Sequence, residues 1–178
     1  MKQVITFCIC LFTLSAFAQE KFLTKKGTIT FEASVPSFEE VKASNNAVTA
    51  ILNTGTGDIA ALALMKGFRF KNALMEEHFN ENYIESDEFP KAKFKGKLSG
   101  FDVNNIQESY TINGTLTLHG VSKEISVTAK VNSKDGIITI SSSFNTTPAD
   151  FNIKIPSIVS SKIAEDVQVV LNFELKAK

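Results

Sequence analysis

Across most of this chain apolar and polar residues alternate one for one, and that period of two limits the fold more than any other feature. Ile29, Phe31, Ala33 and Val35 alternate with Thr28, Thr30, Glu32 and Ser34. Ile112, Gly114, Leu116 and Leu118 alternate with Thr111, Asn113, Thr115 and Thr117, and Ile125, Val127, Ala129 and Val131 with Glu124, Ser126, Thr128 and Lys130. Near the end, Val167, Val169, Leu171, Phe173 and Leu175 alternate with Gln168, Val170, Asn172 and Glu174. Successive side chains of a strand point to opposite faces, so each segment has one dry face and one wet face, as in antiparallel sheets that meet solvent on one side.

Turn chemistry separates the runs. Asn53-Thr54-Gly55-Thr56-Gly57-Asp58 and His119-Gly120-Val121-Ser122 each divide two of them, and Ser133-Lys134-Asp135-Gly136 carries an Asp-Gly hairpin signal. Eight strands are predicted, at about 27–35, 46–53, 57–71, 92–101, 109–118, 123–132, 136–146 and 166–177. The short joins imply a meander, and eight strands can close into a barrel that either fills with its own side chains or holds one small ligand. Alternation alone does not choose between those two.

Two segments depart from the pattern. Ile59 to Met65 is apolar on both faces and runs into Gly67-Phe68-Arg69-Phe70, which predicts a long strand kinked or bulged near Gly67. In 72–90, Leu74, Met75, His78, Phe79 and Tyr83 fall at helical spacing behind Asn72 as the cap, with Glu76, Glu77, Asn80 and Glu81 on the opposite face. This predicts a short amphipathic helix ended by Ser86 to Pro90. A second irregular stretch, Thr146 to Asp166, contains Pro148 and Pro156 and is expected to hold one helical turn around Lys162.

The first residues supply an address. Lys2 precedes the almost wholly apolar run Val4 to Phe17, and Ala16-Phe17-Ala18 places small residues three and one before Gln19. This is the layout of a secretory signal peptide over 1–18, cleaved after Ala18, and the run falls short of the roughly 20 apolar residues of a membrane span. A periplasmic or secreted location is expected. Cys8 and Cys10 leave with the leader, and bulky Ile9 makes Cys10 a poor lipid-attachment site, so the mature chain has no disulfide, thiol nucleophile or thiolate ligand. Residues 19–178 form one expected domain. Of the 19 basic residues only Lys2 is lost, leaving 18 against 19 acidic, a net charge near −1. That balance argues against nucleic acid and against stable membrane attachment.

Twelve of the 15 Phe survive cleavage, with two Tyr and no Trp. Phenylalanine brings area without a hydrogen-bonding group, which suits a core or an apolar cavity wall.

Two stretches carry a family likeness: Met75-Glu76-Glu77-His78-Phe79-Asn80-Glu81-Asn82-Tyr83 continuing through Phe89-Pro90-Lys91-Ala92-Lys93-Phe94-Lys95-Gly96, and Gly114-Thr115-Leu116-Thr117-Leu118-His119-Gly120-Val121-Ser122-Lys123. With the later Asp150-Phe151-Asn152-Ile153 they resemble the YceI-like family of exported polyisoprenoid-binding proteins, in order and spacing from about Gly27 to Lys176. The resemblance implies an all-β, eight-stranded antiparallel lipocalin-like barrel with a short amphipathic helix near its mouth. It also implies a long-chain lipid or isoprenoid ligand inside, and it allows for a homodimer. Many relatives carry Arg-Asp-x-His-Leu where this chain has Glu76-Glu77-His78-Phe79, so only His78 carries over. Loss of that arginine removes the natural fork for phosphate oxygens and shifts the expectation toward a carboxylate, amide or hydrocarbon ligand.

The residues expected at a ligand are Phe31, Phe68, Phe70, Leu74, Met75, His78, Phe79, Tyr83, Phe89, Phe94, Phe151 and Ile153. Each aromatic has a plainer reading as packed core. His78 is read either as a half-buried, satisfied ring or as a hydrogen-bond partner for a head group. His119 is read as a turn residue or a bond to loop backbone. No catalytic residue, metal site or cofactor is expected. Two histidines 41 residues apart without cysteine give no metal set, adjacent pairs such as Glu39-Glu40 and Glu76-Glu77 read as solvated faces, and no nucleophile elbow, P-loop or dinucleotide fingerprint occurs. The expected function is non-catalytic lipid binding, transport or sequestration. The alternatives are a ligand-free structural or interaction barrel and, more remotely, a lipid-modifying enzyme using His78.

Overall fold

The computed structural model describes residues 21–36 and 38–178; the leader expected over 1–18 lies outside them. Nine strands follow in order: β1 Lys21–Ser34, β2 Lys42–Asn53, β3 Asp58–Leu64, β4 Arg69–Phe70, β5 Lys91–Leu98, β6 Ser109–Leu118, β7 Val121–Lys134, β8 Ile137–Thr146 and β9 Ile163–Ala177. Two short helices, α1 Ala73–His78 and α2 Ser157–Ser160, lie between strands. Each long strand pairs antiparallel with its chain neighbours, and β1 pairs with both β2 and β9, so eight strands close into a barrel with β4 as a two-residue addition to β2.

The predicted strands match closely, and the departures have local causes. β1 is already paired with β2 at Lys21, and the register shifts on both sides of Gly27; these irregularities, the first spanning Lys25-Lys26, break the alternation and hide residues 21–26 of the strand from a period-two reading. The interruption expected near Gly67 is a 3-10 turn over Met65–Gly67, after which β4 resumes pairing with β2. Asn45, buried on β2, secures this turn: its side chain donates to Leu64 O at 2.9 Å, and a Cβ on Gly67 would sit 2.6 Å from its Nδ2. Asn72 caps α1 as expected, its Oδ1 accepting from the amides of Leu74 and Met75. The helix widens into a π turn over Phe79–Tyr83. The late helical turn is α2, ending before Lys162 rather than centred on it, and β9 starts at Ile163.

In a closed meander the connections alternate between the two ends. One end carries only tight or capped joins, 54–57, 99–108 and 135–136. The other carries 35–41, the whole 65–90 segment with α1, the turn at His119-Gly120, and 147–162 with α2. The first end is packed: Leu52, Leu98 and Leu175 are fully buried, Phe101 lies against Tyr110 at 5.5 Å, and the Gln107 amide donates to the Tyr110 hydroxyl at 2.7 Å. The second is the mouth.

Candidate functional site

The half of the barrel nearer the mouth is hollow, and residue size explains why. Inward positions on β3, β5 and β6 include Ala61, Ala63, Ala92, Gly96 and Gly114, which do not reach the barrel axis. Phe94 folds its ring against the backbone at Gly96 and Gly114, where an added Cβ on either would come within 2.7 Å of it. The ring is thereby drawn to the wall. What remains is a cavity of about 540 Å³, within the roughly 300–1,000 Å³ of ordinary ligand pockets.

Its wall is overwhelmingly apolar. Phe31, Phe68, Phe70 and Phe79 form an aromatic cluster beside the mouth, with Phe31 at 5.3, 5.7 and 5.3 Å from Phe68, Phe70 and Phe79, in tilted and edge-on arrangements favoured by ring quadrupoles. Helix α1 lies over the opening and contributes Leu74, Met75 and His78, with Tyr83 following in the π turn. Opposite, Phe151 and Ile153 come from the segment before α2.

The polar groups near the opening are mostly committed. Arg69 donates to Glu76 Oε1 at 2.6 Å and to Lys66 O at 3.0 Å, while Glu76 Oε2 accepts from the Phe70 amide. Glu76 therefore clamps α1 to β4 and is not the solvated residue that its pairing with Glu77 suggested. Asn72 donates to Glu39 while capping α1. His78 is exposed at the rim and makes no hydrogen bond or ion pair among the described residues. Among those residues no group of three or more His, Cys, Asp or Glu is placed to hold a metal.

The comparisons agree with this geometry. The YceI-like domain matches residues 21–175. The chain belongs to the YceI-like family. Three solved structures share its fold. A polyisoprenoid binding domain from Saccharophagus degradans superposes with a TM-score of 0.74 at 15% identity, over 89% of this chain and 98% of that one. BcnA of Burkholderia cenocepacia gives 0.70 at 14%, over 84% and 96%. The Campylobacter jejuni YCEI protein gives 0.62 at 21%, over 81% and 88%. No curated protein matches the sequence.

In this YceI-like barrel the structure brings together eleven of the expected site residues: Phe31, Phe68, Phe70, Leu74, Met75, His78, Phe79, Tyr83, Phe94, Phe151 and Ile153 all line the cavity. Phe89 does not. It stacks on His119 with ring centroids 4.3 Å apart, and its ring fills the space over Gly120, where an added Cβ would meet it at 2.9 Å. The sequence placed Phe89 beside the helix but gave no sign that a turn from the far side of the chain covers it.

His119 is the residue whose importance the sequence understated. At 9% side-chain exposure, its Nδ1 lies 3.0 Å from Phe151 O and its Nε2 lies 2.8 Å from Glu85 Oε2. The bond to loop backbone was expected, but the carboxylate partner 34 residues away was not. Among the described residues, three of the four non-glycine residues with positive φ, Glu85, His119 and Asn152, meet at or beside this ring, and Lys123 pairs with Asp150 nearby. One imidazole thus fastens two cavity-lining segments, ending in Ile84 and starting at Phe151, to the β6–β7 turn.

Proposed function

We propose that this YceI-like protein binds a long-chain apolar lipid (an isoprenoid, fatty acid or fatty amide) in the barrel without chemical change, as a carrier or sequestering protein in the periplasm or outside the cell after loss of its leader. The observation that carries this reading is the apolar cavity of about 540 Å³ beneath the α1 lid. The polyisoprenoid binding domain that shares the fold supports it. Each methylene moved from water into such a wall yields about 0.8 kcal/mol, so ten give about 8 kcal/mol before ordering costs. No reacting group is needed for affinity of that size. His78 stands at the rim without a nucleophile or an orienting carboxylate, which argues against acid–base chemistry there. With Arg69 held by Glu76, no free guanidinium awaits a pyrophosphate, in keeping with a carboxylate, amide or hydroxyl head group.

The test is gentle purification, organic extraction and mass spectrometry of whatever co-purifies, followed by titration of the stripped protein with a polyprenol, a fatty acid and a fatty amide. Recovery of one lipid class in near-stoichiometric amount is expected. A stripped barrel that takes up none of the three removes the carrier reading.

A further inference from the structure

The outer surface of the barrel is uneven in charge. β5 turns Lys91, Lys93, Lys95 and Lys97 outward, all exposed, so four ammonium groups stand in a row at intervals of about 6.8 Å, twice the rise of a strand. On one side, β6 faces outward with uncharged Thr111, Asn113, Thr115 and Thr117. On the other, β3 faces outward with Leu64, Leu62 and Ala60, paired with Lys91, Lys93 and Lys95, and β2 extends that apolar row with Ile51 opposite Ala60. None of the four lysines forms an ion pair with a described acid. The nearest acids in register are Asp58, opposite Lys97, and Glu124 on β7, which accepts from Thr115.

A strand with one wet face normally keeps its apolar residues to the other. β3 does not, and the run from Ile59 to Met65 that is apolar on both faces finds only half its explanation in the cavity. Among the described residues its outer row has no covering partner, and Leu64 is 51% exposed. We propose that the β3–β5 face docks on the surface of an anionic lipid bilayer. The lysines meet the phosphate head groups, while their methylene stems and the aliphatic row enter the interface. The net charge near −1 that speaks against membrane affinity is an average over the whole chain and conceals this row.

Two further features favour a bilayer over another polyanion. Lys21 and Lys95 flank a shallow depression lined by Ile51 and Ala60 and by the polar Asn53 and Asp58, the latter engaged by the Thr56 hydroxyl, a seat for a partly apolar head group that carries both charges. The strip also ends at the mouth: Leu64 pairs with Lys91, and the next residue, Met65, lines the cavity. An acidic glycan would satisfy the lysines but leave the aliphatic row uncovered. The choice of a bilayer rests on the lipid reading of the cavity, since docking brings the mouth to the phase where an apolar ligand resides.

The test is cosedimentation of the barrel, residues 19–178, with vesicles of phosphatidylcholine alone or mixed with phosphatidylglycerol. Binding to the mixed vesicles and release by salt are expected. Attraction to an anionic surface corresponds to about a five-fold factor per lysine, so Lys93→Gln with Lys95→Gln should weaken it about 25-fold. Lys134→Gln with Lys176→Gln, at the packed end, should leave it unchanged, and Leu64→Ser should weaken it at low salt without altering its salt dependence. Equal binding to both vesicle types, equal loss in both lysine pairs, no vesicle binding at all, or lysine-dependent capture only by heparin or polyglutamate would each overturn the proposal. Fatty acid or polyprenol uptake by the unsubstituted barrel, measured alongside, separates the two readings: uptake without vesicle binding rejects the membrane face alone, and absence of uptake rejects the carrier, while Lys93→Gln/Lys95→Gln should keep both its uptake and its melting curve.

Discussion

The two ends of this barrel are built from the same alternating strands yet do opposite things. At the packed end, large residues from facing strands meet: Leu52, Leu98, Ile138 and Leu175 are 0–1% exposed, and the join 99–108 is tied down by the Tyr110 hydroxyl. At the open end, Ala61, Ala63 and Ala92 take inward positions, Phe94 is drawn back against Gly96 and Gly114, and the long joins 65–90 and 147–162 form a rim and a lid. The packed end holds the barrel shut and carries its stability. The open end gives up buried area and gains a hollow. Filling a barrel or hollowing it is thus decided by side-chain size at a few inward sites, within one unchanged backbone pattern.

That division can be broken deliberately. Leu98→Ala, at the packed end, should cost about 3 kcal/mol, in the range for fully buried leucines, whereas Leu118→Ala on the cavity wall should cost about 1 kcal/mol because the neighbouring space is already open. Denaturant unfolding of both variants measures the gap, and equal losses would mean the hollow collapses onto its wall. The reverse substitution sharpens the contrast. Ala129→Phe, at a buried site paired with Tyr110 at the packed end, should destabilise by about 2 kcal/mol through overpacking. Ala61→Phe should leave the unfolding midpoint nearly unchanged while reducing lipid uptake ten-fold or more.

The latch at the mouth comes next in size. His119→Ala removes bonds to Phe151 O and Glu85, and should cost about 1.5 kcal/mol, typical of losing hydrogen bonds of which one involves a charged group. It should also quicken lipid release measured by stopped-flow fluorescence; unchanged release would show that the latch is structural only.

The smallest effect concerns acid. Hydrogen bonds from the Lys123 ammonium and the Thr147 hydroxyl hold the Asp150 carboxyl below its ordinary value. A carboxylate with a lowered folded value contributes its tether above the unfolded value and loses it as pH falls through the folded one. The turn over Pro148–Phe151 should therefore loosen only at strongly acid pH. An NMR titration of the Asp150 carboxyl checks this, and a midpoint above the ordinary carboxylate value would contradict it.

Much of this was legible in the sequence, and the exceptions are instructive. Strands β6 to β9 appear in the alternation because burial on one face imposes it residue by residue, and Asn72 announces α1 because a cap acts within one turn of backbone. The alternation shows β1 only from Gly27 onward because the irregularities around that residue shift the register, and a period of two does not pass through them. Phe89 and Glu76 were misplaced for another reason. Each is defined by a partner on another element, His119 in one case and Arg69 in the other, and local spacing does not report such partners. The lysine row on β5 stood in plain view as Lys-x-Lys-x-Lys-x-Lys, but its aliphatic neighbour on β3 becomes its neighbour only through strand pairing.

By itself the sequence determined the strand pattern, the antiparallel order and an aromatic, greasy interior, because these follow from side-chain polarity at fixed local spacing. Only the tertiary structure decided that the sheet closes through β1 onto both β2 and β9, that one half is solid and the other hollow, and that His119 ties the rim together. Those outcomes depend on which inward residues meet across the barrel axis, and that is set by register between segments far apart in the chain.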